Sequence, residues 1–363
     1  MKTIVINEEF REQAKGDERK ASHVEFIQNA RTFSARHERH LLDLPRDAKV
    51  HVNAGIPILD FFRETDRAVN GVRLDEKYLF MDDLAGLAKV VSVGKLSAVS
   101  LKSSDISEDV SVSMDFNAAI KHDHISADSD RNPIPAFMAG VTMGYRHREG
   151  LDSESIDLYG DSVTLKTRKL TEKVGGYMLN GDVSIKADGQ VGEGIKGHRN
   201  TKKIDLGTSG YAINLVTATN DEIVEFFNQD FAAILDAESL GFVDSMGLPP
   251  AIYRRLMAPI SKTGEFKGGI DGEPLMDYVK RVSNVKNFMK DFALTGNEFY
   301  AYRKDPSIIR PIVAMATGSF MMPRQTPVEG YSTRIITAQG IEIKKTMNDK
   351  HGVFYASNIT TGV

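Results

Sequence analysis

The most regular apolar pattern in the chain predicts a long helix near its middle. Apolar side chains recur there at three- and four-residue spacing: Ile156, Tyr159, Val163, Leu170, Val174 and Tyr177. That spacing places them on one face of an α-helix. Asp152 or Ser153 supplies an N-cap, and Asn180 followed by Gly181 is typical of a helix end. We predict a helix within residues 153–180, where about 25 helical residues at about 1.5 Å each form a rod of roughly 38 Å.

Between residues 90 and 116 a two-residue period replaces the helical one. In a first run, apolar side chains are interleaved with Ser, Gly and Lys: Val91, Val93, Leu96, Ala98, Val99 and Leu101. In a second run they alternate strictly with Ser and Asp: Val110, Val112, Met114 and Phe116. The polar residues 102–109 separate the runs, so the pattern predicts a two-stranded ribbon. Its serines leave it no thick apolar face, and an isolated hairpin is marginal in water. We therefore expect the ribbon to lie on a partner.

The first fifty residues carry crowded charges of both signs and few large apolar side chains. A short helix is predicted over residues 22–36, with Val24, Ile27, Ala30 and Phe33 on one side. This stripe is too narrow to anchor a core, so we expect an arm that lies on the surface of a neighbouring copy. A partly disordered, solvated tail fits the same composition equally well.

The remaining chain mixes helical and strand-like patterns. Helices are predicted within residues 55–89, at 251–257 and 275–282, and in a segment capped by Asn220 that carries Ile223, Phe227, Phe231, Ile234 and Leu235. Strands are predicted at 137–145, before Pro249, at 285–294, 298–302 and 308–315, and within 333–346 and 351–359; residues 181–197 form a glycine-rich loop. This mixture predicts an α+β protein.

The amino-acid composition excludes several classes of function for this protein. The 363 residues, 41% hydrophobic and 26% charged, suit one extended two-part fold or two modest domains. The absence of cysteine excludes disulfides, thiolate nucleophiles and iron–sulfur sites. A net charge of −4 supplies no basic field for sequence-specific nucleic-acid binding, although a protein that merely encloses DNA needs none. No apolar run reaches the roughly 18 residues of a membrane span, so we expect a soluble protein made in the cytoplasm, without a membrane partner.

One motif points to a different class of protein. Gly192, Gly194 and Gly197 match the GxGxxG dinucleotide fingerprint. The mechanism requires a buried strand before the motif and a helix after it, so that amides and helix dipole meet the pyrophosphate. The flanking sequences KADGQV and HRNTKKIDLG show neither. The motif indicates a flexible loop, and a nucleotide-binding α/β enzyme that uses residues 192–197 is kept as the alternative.

The other candidate chemistry is weaker. Five potential metal ligands lie in a polar stretch: His122, Asp123, His124, Asp128 and Asp130. Their spacing does not bring several of them together on one face of a helix or a strand. The histidines of the charged run 36–40 lack the HExxH spacing, and the carboxylate pairs Asp82–Asp83 and Asp221–Glu222 fit helix starts and solvated faces. Since the chain also lacks a GxSxG elbow and a phosphate-binding loop, we predict no catalytic, cofactor-binding or metal residue, no cofactor, and no enzyme.

The order of the elements resembles a known family. An arm, a ribbon and one long helix ending in Asn-Gly are followed by a loop with Gly-Ile-Lys-Gly at 194–197, a mixed region, and a late Gly-Ile-Glu-Ile at 340–343. This order is similar to the major capsid proteins of tailed bacteriophages, which have the Hong Kong 97-type fold, and to the encapsulin shell proteins related to them. The resemblance covers most of the chain from about Gly55 onward.

The resemblance implies a division of the chain into named parts. These are an N-terminal arm (1–54), the start of a peripheral domain (55–89), an extended loop (90–135), the peripheral domain with its spine helix at 153–180 (136–212), an axial domain (213–330) and strands that return to the peripheral domain (331–363).

The resemblance also implies a function. The chain would be a structural subunit that self-assembles into hexamers and pentamers of an icosahedral head around double-stranded DNA, with each ribbon over the next subunit's spine helix. Its partners would be other copies, the DNA without sequence preference, and scaffold, portal and decoration proteins, in a virion assembled in the host cytoplasm. An encapsulin-like compartment is the main alternative, and a tail or baseplate component is disfavoured by the long helix.

Overall fold

The computed structural model describes residues 12–42, 77–103, 114, 127–148, 158–207, 211–260, 272–326, 328–345 and 349–358. The helices in these ranges are α1 (Glu18–Leu42), α2 (Leu79–Leu84), α3 (Leu158–Asn180), α4 (Asn220–Glu225), α5 (Phe231–Ala237), α6 (Pro250–Leu256) and α7 (Leu275–Val282). The strands are β1 (Lys89–Val90), β2 (Ser97–Ser103), β3 (Ala127–Pro133), β4 (Ala136–Met143), β5 (Gly181–Ala187), β6 (Gln190–Glu193), β7 (Lys202–Asp205), β8 (Val243–Leu248), β9 (Val285–Lys290), β10 (Glu298–Tyr302), β11 (Ile309–Met321), β12 (Tyr331–Ile343) and β13 (Val353–Ser357).

A four-stranded sheet and α3 form the first half of the molecule. The strand order is β1-β11-β12-β4, and the long strands β11, β12 and β4 pair antiparallel. Because β4 alternates, Phe137, Ala139 and Val141 lie on one face of the sheet and pack under α3. Ile335 of β12 completes this layer.

Helix α3 confirms the main periodicity of the sequence. The apolar positions predicted to face the core are buried wherever the structure describes them: Tyr159, Val163, Leu170, Val174 and Tyr177. The helix ends at Asn180, as predicted, and Gly181 follows it with φ +78°, a conformation that favours glycine. The proposed caps Asp152 and Ser153, and Ile156, lie outside the described residues.

A five-stranded sheet organises the second half. Its order is β7-β13-β10-β8-β9, with β10 antiparallel to both of its neighbours. Helices α4 to α7 pack on it and bury an aromatic cluster of Phe226, Phe227, Phe231 and Phe299. None of the described helices is long and apolar enough to cross a membrane.

The start of α4 differs by one residue from the sequence prediction. Thr219, and not Asn220, is the N-cap: its hydroxyl accepts from the amide of Glu222, whose carboxylate accepts in turn from the Thr219 amide at 2.8 Å. Asn220 is already the first helical residue. A π-helical turn, Phe226–Asp230, then separates α4 from α5.

Helix α1 corrects the expectation of an arm placed entirely on a neighbour. It packs on the sheet of its own chain, on the opposite face from α3, where Ile27 lies against Val313 and Met315. Arg31 reinforces this contact by donating to the backbone oxygen of Ser319 at 2.9 Å. The sequence missed this docking because, among the helix side chains that the structure describes, the other two that are buried, His23 and Ser34, are polar.

The ribbon also differs from its prediction. β2 pairs antiparallel with β3, from Ser97 opposite Pro133 to Ser103 opposite Ala127, and we call this pair of strands the ribbon. The second strand therefore comes from the polar stretch that contains the candidate metal ligands Asp128 and Asp130. The predicted partner strand, Val110 to Phe116, lies outside the described residues apart from Met114.

The sheet pairings also show where the glycine-rich segment and the last strands lie. The glycine-rich segment 181–197, predicted as a loop, contains the hairpin β5–β6. Of the strands predicted to return to the peripheral domain (331–363), β12 joins the four-stranded sheet beside α3, but β13 pairs with β10 and β7 in the other sheet. β11, which lies in the segment assigned to the axial domain, also pairs with β12.

Candidate functional site

The glycine motif closes the end of α3. The amides of Ile195 and Lys196 donate to the backbone oxygens of Met178 and Leu179, both at 2.9 Å. Gly194 lies so close to the helix that a Cβ on it would be 2.6 Å from the carbonyl carbon of Leu179. The loop thus satisfies carbonyl groups that a helix end otherwise leaves exposed.

This geometry contradicts the nucleotide-binding alternative. The next two amides, of Gly197 and His198, both donate to the backbone oxygen of Gly194, at 3.0 and 2.8 Å. The motif is followed by the strand β7 and not by a helix. Amides already engaged within the chain, without a helix dipole behind them, do not form a phosphate cradle.

A buried polar network joins this loop to the ribbon. The backbone amide of Asn200 donates to Nδ1 of His198 at 3.0 Å, which leaves the proton on Nε2, 3.0 Å from Oδ1 of Asn132 in β3. Asn200 also donates to the backbone oxygen of Ile343 at 2.9 Å. His198, Asn132 and Asn200 are all buried, so the ribbon is tied to α3 and to β12 through one cluster.

Charged contacts surround this network. Nε of Arg199 lies 3.0 Å from a carboxylate oxygen of Asp130, and Asn200 donates to the other oxygen at 2.7 Å. Arg199 also donates to the backbone oxygen of Arg131 and to the side chain of Gln190. At the tip of the β5–β6 hairpin, Asp188 accepts from Ser97 of β2 at 2.5 Å. The base of the ribbon is therefore held from both strands.

The structure describes only some of the residues that the sequence offered as metal ligands. Asp130 is engaged by Arg199 and Asn200, while His122, Asp123, His124 and the side chain of Asp128 lie outside the described residues. Within the described part of the chain, no group of three or more histidine or carboxylate side chains is placed to hold a metal ion. The 36–40 run lies at the end of α1, but its histidine side chains are outside the described residues.

The carboxylate pairs behave differently from each other. Glu222 caps α4, as the helix-start interpretation expects. Asp83 is not merely solvated: it accepts from Ser245 and Tyr302, both at 2.8 Å, and from Lys304 at 2.6 Å. Burial raises the pKa of Asp83, but these hydrogen bonds outweigh burial and lower the pKa overall. This carboxylate links α2 to the five-stranded sheet.

A second charged pair joins the α3 loop to the five-stranded sheet. Lys196 lies 2.8 Å from the carboxylate of Glu298, which also accepts from the Tyr355 hydroxyl at 2.5 Å and from the Thr295 amide at 2.7 Å. Burial alone would raise the pKa of Glu298, but these donors lower it. The loop after α3 therefore fixes both the ribbon and the second sheet relative to the helix.

Apolar side chains remain exposed on the ribbon and on α3. Leu96 and Val99 at the ribbon are 73% and 47% exposed, and Leu165 on the outward face of α3 is 58% exposed. The base of the ribbon is fixed by buried polar contacts, whereas these side chains face outward. Such an arrangement suits binding to another surface.

Solved structures of shell proteins share this fold. The chain matches the capsid of Myoviridae phage XM1 with a TM-score of 0.54 and 12% identity, over 80% of this chain and 97% of that one. A virus-like particle from Pyrococcus furiosus matches with a TM-score of 0.51 and 14% identity, over 82% and 100%. The capsid of a native GTA particle matches with a TM-score of 0.51 and 13% identity, over 79% and 91%.

These matches and the element order define the fold as the Hong Kong 97-type capsid fold, an α+β fold. The chain itself belongs to a family described as "Family of unknown function (DUF6260)", whose model matches residues 50–356. No match to the sequence was found among curated proteins.

Proposed function

We propose that this protein is the major shell subunit of a tailed-phage-type head. Copies assemble into hexamers and pentamers that close an icosahedral shell around double-stranded DNA. The observation that carries the proposal is the ribbon: its base is clamped by the buried contact between His198 and Asn132, while Leu96 and Val99 face outward. A shell subunit needs this combination of a rigid attachment and an unsatisfied contact surface.

The ribbon supports assembly because one of its faces stays uncovered within its own chain: Ala98 and Ser100 are buried, whereas Val99 between them is 47% exposed. A two-stranded pair is marginal in water by itself. Laid over the α3 helix of the next copy, the ribbon would also cover the exposed Leu165 of that helix. Repeated around a ring, such contacts reach the interface areas of roughly 2,000 Å² or more that permanent assemblies bury.

The matched structures support a shell role in two forms. The phage XM1 and GTA matches are capsids. The match to the Pyrococcus virus-like particle, over that whole chain, keeps a compartment shell as the second candidate. In the head, further partners are scaffold, portal and decoration proteins, and the protein resides in the virion after assembly in the host cytoplasm.

The proposed role is structural and not catalytic. The polar clusters of the described residues have packing or linking tasks: Asp83 joins α2 to a sheet, and Glu298 joins the α3 loop to the same sheet. The glycine motif, the strongest enzyme-like signal of the sequence, is a helix-closing loop.

Deleting residues 102–109 tests the proposal. We expect the shortened chain to remain folded, with a thermal midpoint close to that of the full chain, but to assemble poorly by light scattering. The base of the ribbon, with Asn132 and Asp188, stays in place in this variant. Assembly equal to that of the full chain would show that this part of the ribbon has no intersubunit role. Loss of soluble folded protein would mean instead that the ribbon belongs to the core of its own subunit.

A further inference from the structure

The outward face of α3 carries a ridge of lysines. Lys166, Lys169 and Lys173 follow each other at spacings of three and four residues, so they line one side of the helix over about 10 Å. All three are exposed. No ion pair involves them in the part of the chain that the structure describes, whereas Arg168 on the same helix pairs with Glu172 at 3.6 Å. We call these three residues the lysine ridge.

The ridge is an accumulation of like charge in an acidic protein. Like charges three or four residues apart on a helix destabilise it slightly, and the chain as a whole has a net charge of −4. A partner that carries negative charge would remove this repulsion. Leu165, 58% exposed beside the ridge, adds an apolar contact that a purely ionic partner would leave uncovered.

The chain contains a segment of matching composition. Residues 104–126, which connect β2 to β3, carry five acidic side chains against the single Lys121, a net charge of −4 with histidine neutral: Asp105, Glu108, Asp109, Asp115 and Asp123. This equals the net charge of the entire chain. The same segment supplies apolar residues, Ile106, Val110 and Val112, suited to Leu165.

We propose that the acidic segment 104–126 of one copy docks on the lysine ridge of a second copy. The inference rests on the proposed function, which places each ribbon over a neighbouring α3, and it adds which side chains make that contact. Because the contact is between exposed charges, it weakens as salt shortens the Debye length from about 10 Å at 0.1 M to about 3 Å at 1 M. Assembly is then sensitive to salt.

Charge reversal at the middle of the ridge provides the first test. Lys169→Glu and, separately, Glu108→Lys should each raise the concentration for half-maximal assembly about fivefold or more, since a repulsive pair replaces an attractive one at every interface. Lys203→Glu is the matched control: Lys203 is exposed on β7, and the same charge change there should leave assembly unchanged. Circular dichroism establishes that all three variants are folded.

Mixing the two variants distinguishes docking on a second copy from docking within the same chain. Lys169→Glu reverses a charge on the ridge and leaves the segment unaltered, and Glu108→Lys does the opposite. Where the two variants alternate in an equal mixture, an unaltered segment meets an unaltered ridge, and a reversed segment meets a reversed ridge. Docking between copies therefore predicts that the mixture assembles better than either variant alone. If each segment docks on its own chain, mixing restores nothing, and the proposal is overturned.

Two other outcomes also overturn it. If Lys169→Glu and Lys203→Glu alter assembly equally, the ridge is an ordinary solvated surface. If Lys169→Glu forms normal shells that contain less nucleic acid, read from their ultraviolet absorbance ratio, the ridge binds phosphate groups instead. Failure of the unaltered protein to assemble at any salt concentration would contradict the proposed function itself.

Discussion

The imidazole of His198 lies 3.0 Å from the side-chain oxygen of Asn132, 66 residues earlier in the chain. Both residues are buried, and the Asn200 amide fixes the ring by donating to its other nitrogen. This contact joins the loop that closes α3 to the strand β3. The direction in which the ribbon leaves the molecule therefore depends on a small, buried polar cluster.

Replacing His198 should destabilise the folded chain. In His198→Leu the buried Asn200 amide loses its acceptor, and the Asn132 oxygen keeps only the long contact with Arg199 at 3.4 Å. We expect this to cost about 2–4 kcal/mol in the free energy of unfolding. Urea denaturation measures the loss. His147→Leu, at an exposed position, is the control and should stay within about 0.5 kcal/mol. Equal stability of the two variants would contradict a structural role for the cluster.

Two glycines of one motif should respond differently to alanine. A Cβ on Gly194 would lie 2.6 Å from the Leu179 carbonyl carbon, whereas one on Gly197 would meet only the Asn180 oxygen at 4.0 Å. Gly194→Ala should therefore cost about 3 kcal/mol or more, and Gly197→Ala less than about 1 kcal/mol. Thermal unfolding of both variants provides the comparison. The reverse order would mean that the loop does not close α3 as described.

Glu238 should make stability depend on acid pH. Burial would raise the pKa of this carboxyl, but donation from the His351 amide and ring and from Lys202 lowers it from 4.5 to about 2. The stabilisation by the carboxylate is fully present above pH 4.5 and is lost as pH falls through about 2.

Glu238→Gln isolates this contribution. We expect the variant to be about 2 kcal/mol less stable than the unaltered chain near neutral pH, a figure reduced from the full pKa shift because Lys202 is partly exposed to solvent. The difference should shrink as pH falls from about 5 towards 2, in denaturant titrations at several pH values. A constant difference would show that Glu238 acts by packing and not by charge.

Docking of α1 should weaken in mild acid. Burial lowers the pKa of His23 below its ordinary 6.5, and the Val91 carbonyl and the charge of Asp17 offset this only in part. The unfolded segment then binds more protons than the docked one, so the stabilisation is lost as pH falls below 6.5. Hydrogen exchange, corrected for its intrinsic pH dependence, should show less protection of α1 near pH 5 than near pH 7.

His23→Gln is the control for this pH effect. Glutamine can still donate to the Val91 oxygen but does not titrate. Protection of α1 in the variant should therefore change less between the two pH values. An unchanged acid dependence in the variant would place the titrating group elsewhere.

The sequence predicted those elements whose buried side chains are apolar and recur at regular spacing. Helix α3 is one, because Val163, Leu170 and Val174 repeat at helical spacing and are all buried. β3 could not be predicted in this way: its sequence ADSDRNP has few strand-favouring residues, and its pairing with β2 arises from tertiary contacts. Helix α1 was misjudged because buried His23 and Ser34 look like solvated positions.

The polar cluster was beyond sequence reasoning for a different reason. His198, Asn132 and Asn200 lie in polar stretches without periodicity, and only the folded chain brings them together. The glycines at 192–197 were visible as a motif, but the motif alone does not reveal that their amides serve the end of α3. The signal that excludes a nucleotide site, the missing helix after the motif, was present in the sequence.

We propose that this chain assembles through its outward surfaces into a shell. The most direct measurement is the mass and shape of the purified protein, by light scattering together with negative-stain microscopy. If the proposal is correct, we expect closed shells, or pentameric and hexameric rings. A monomer or dimer that persists at high protein concentration would contradict it.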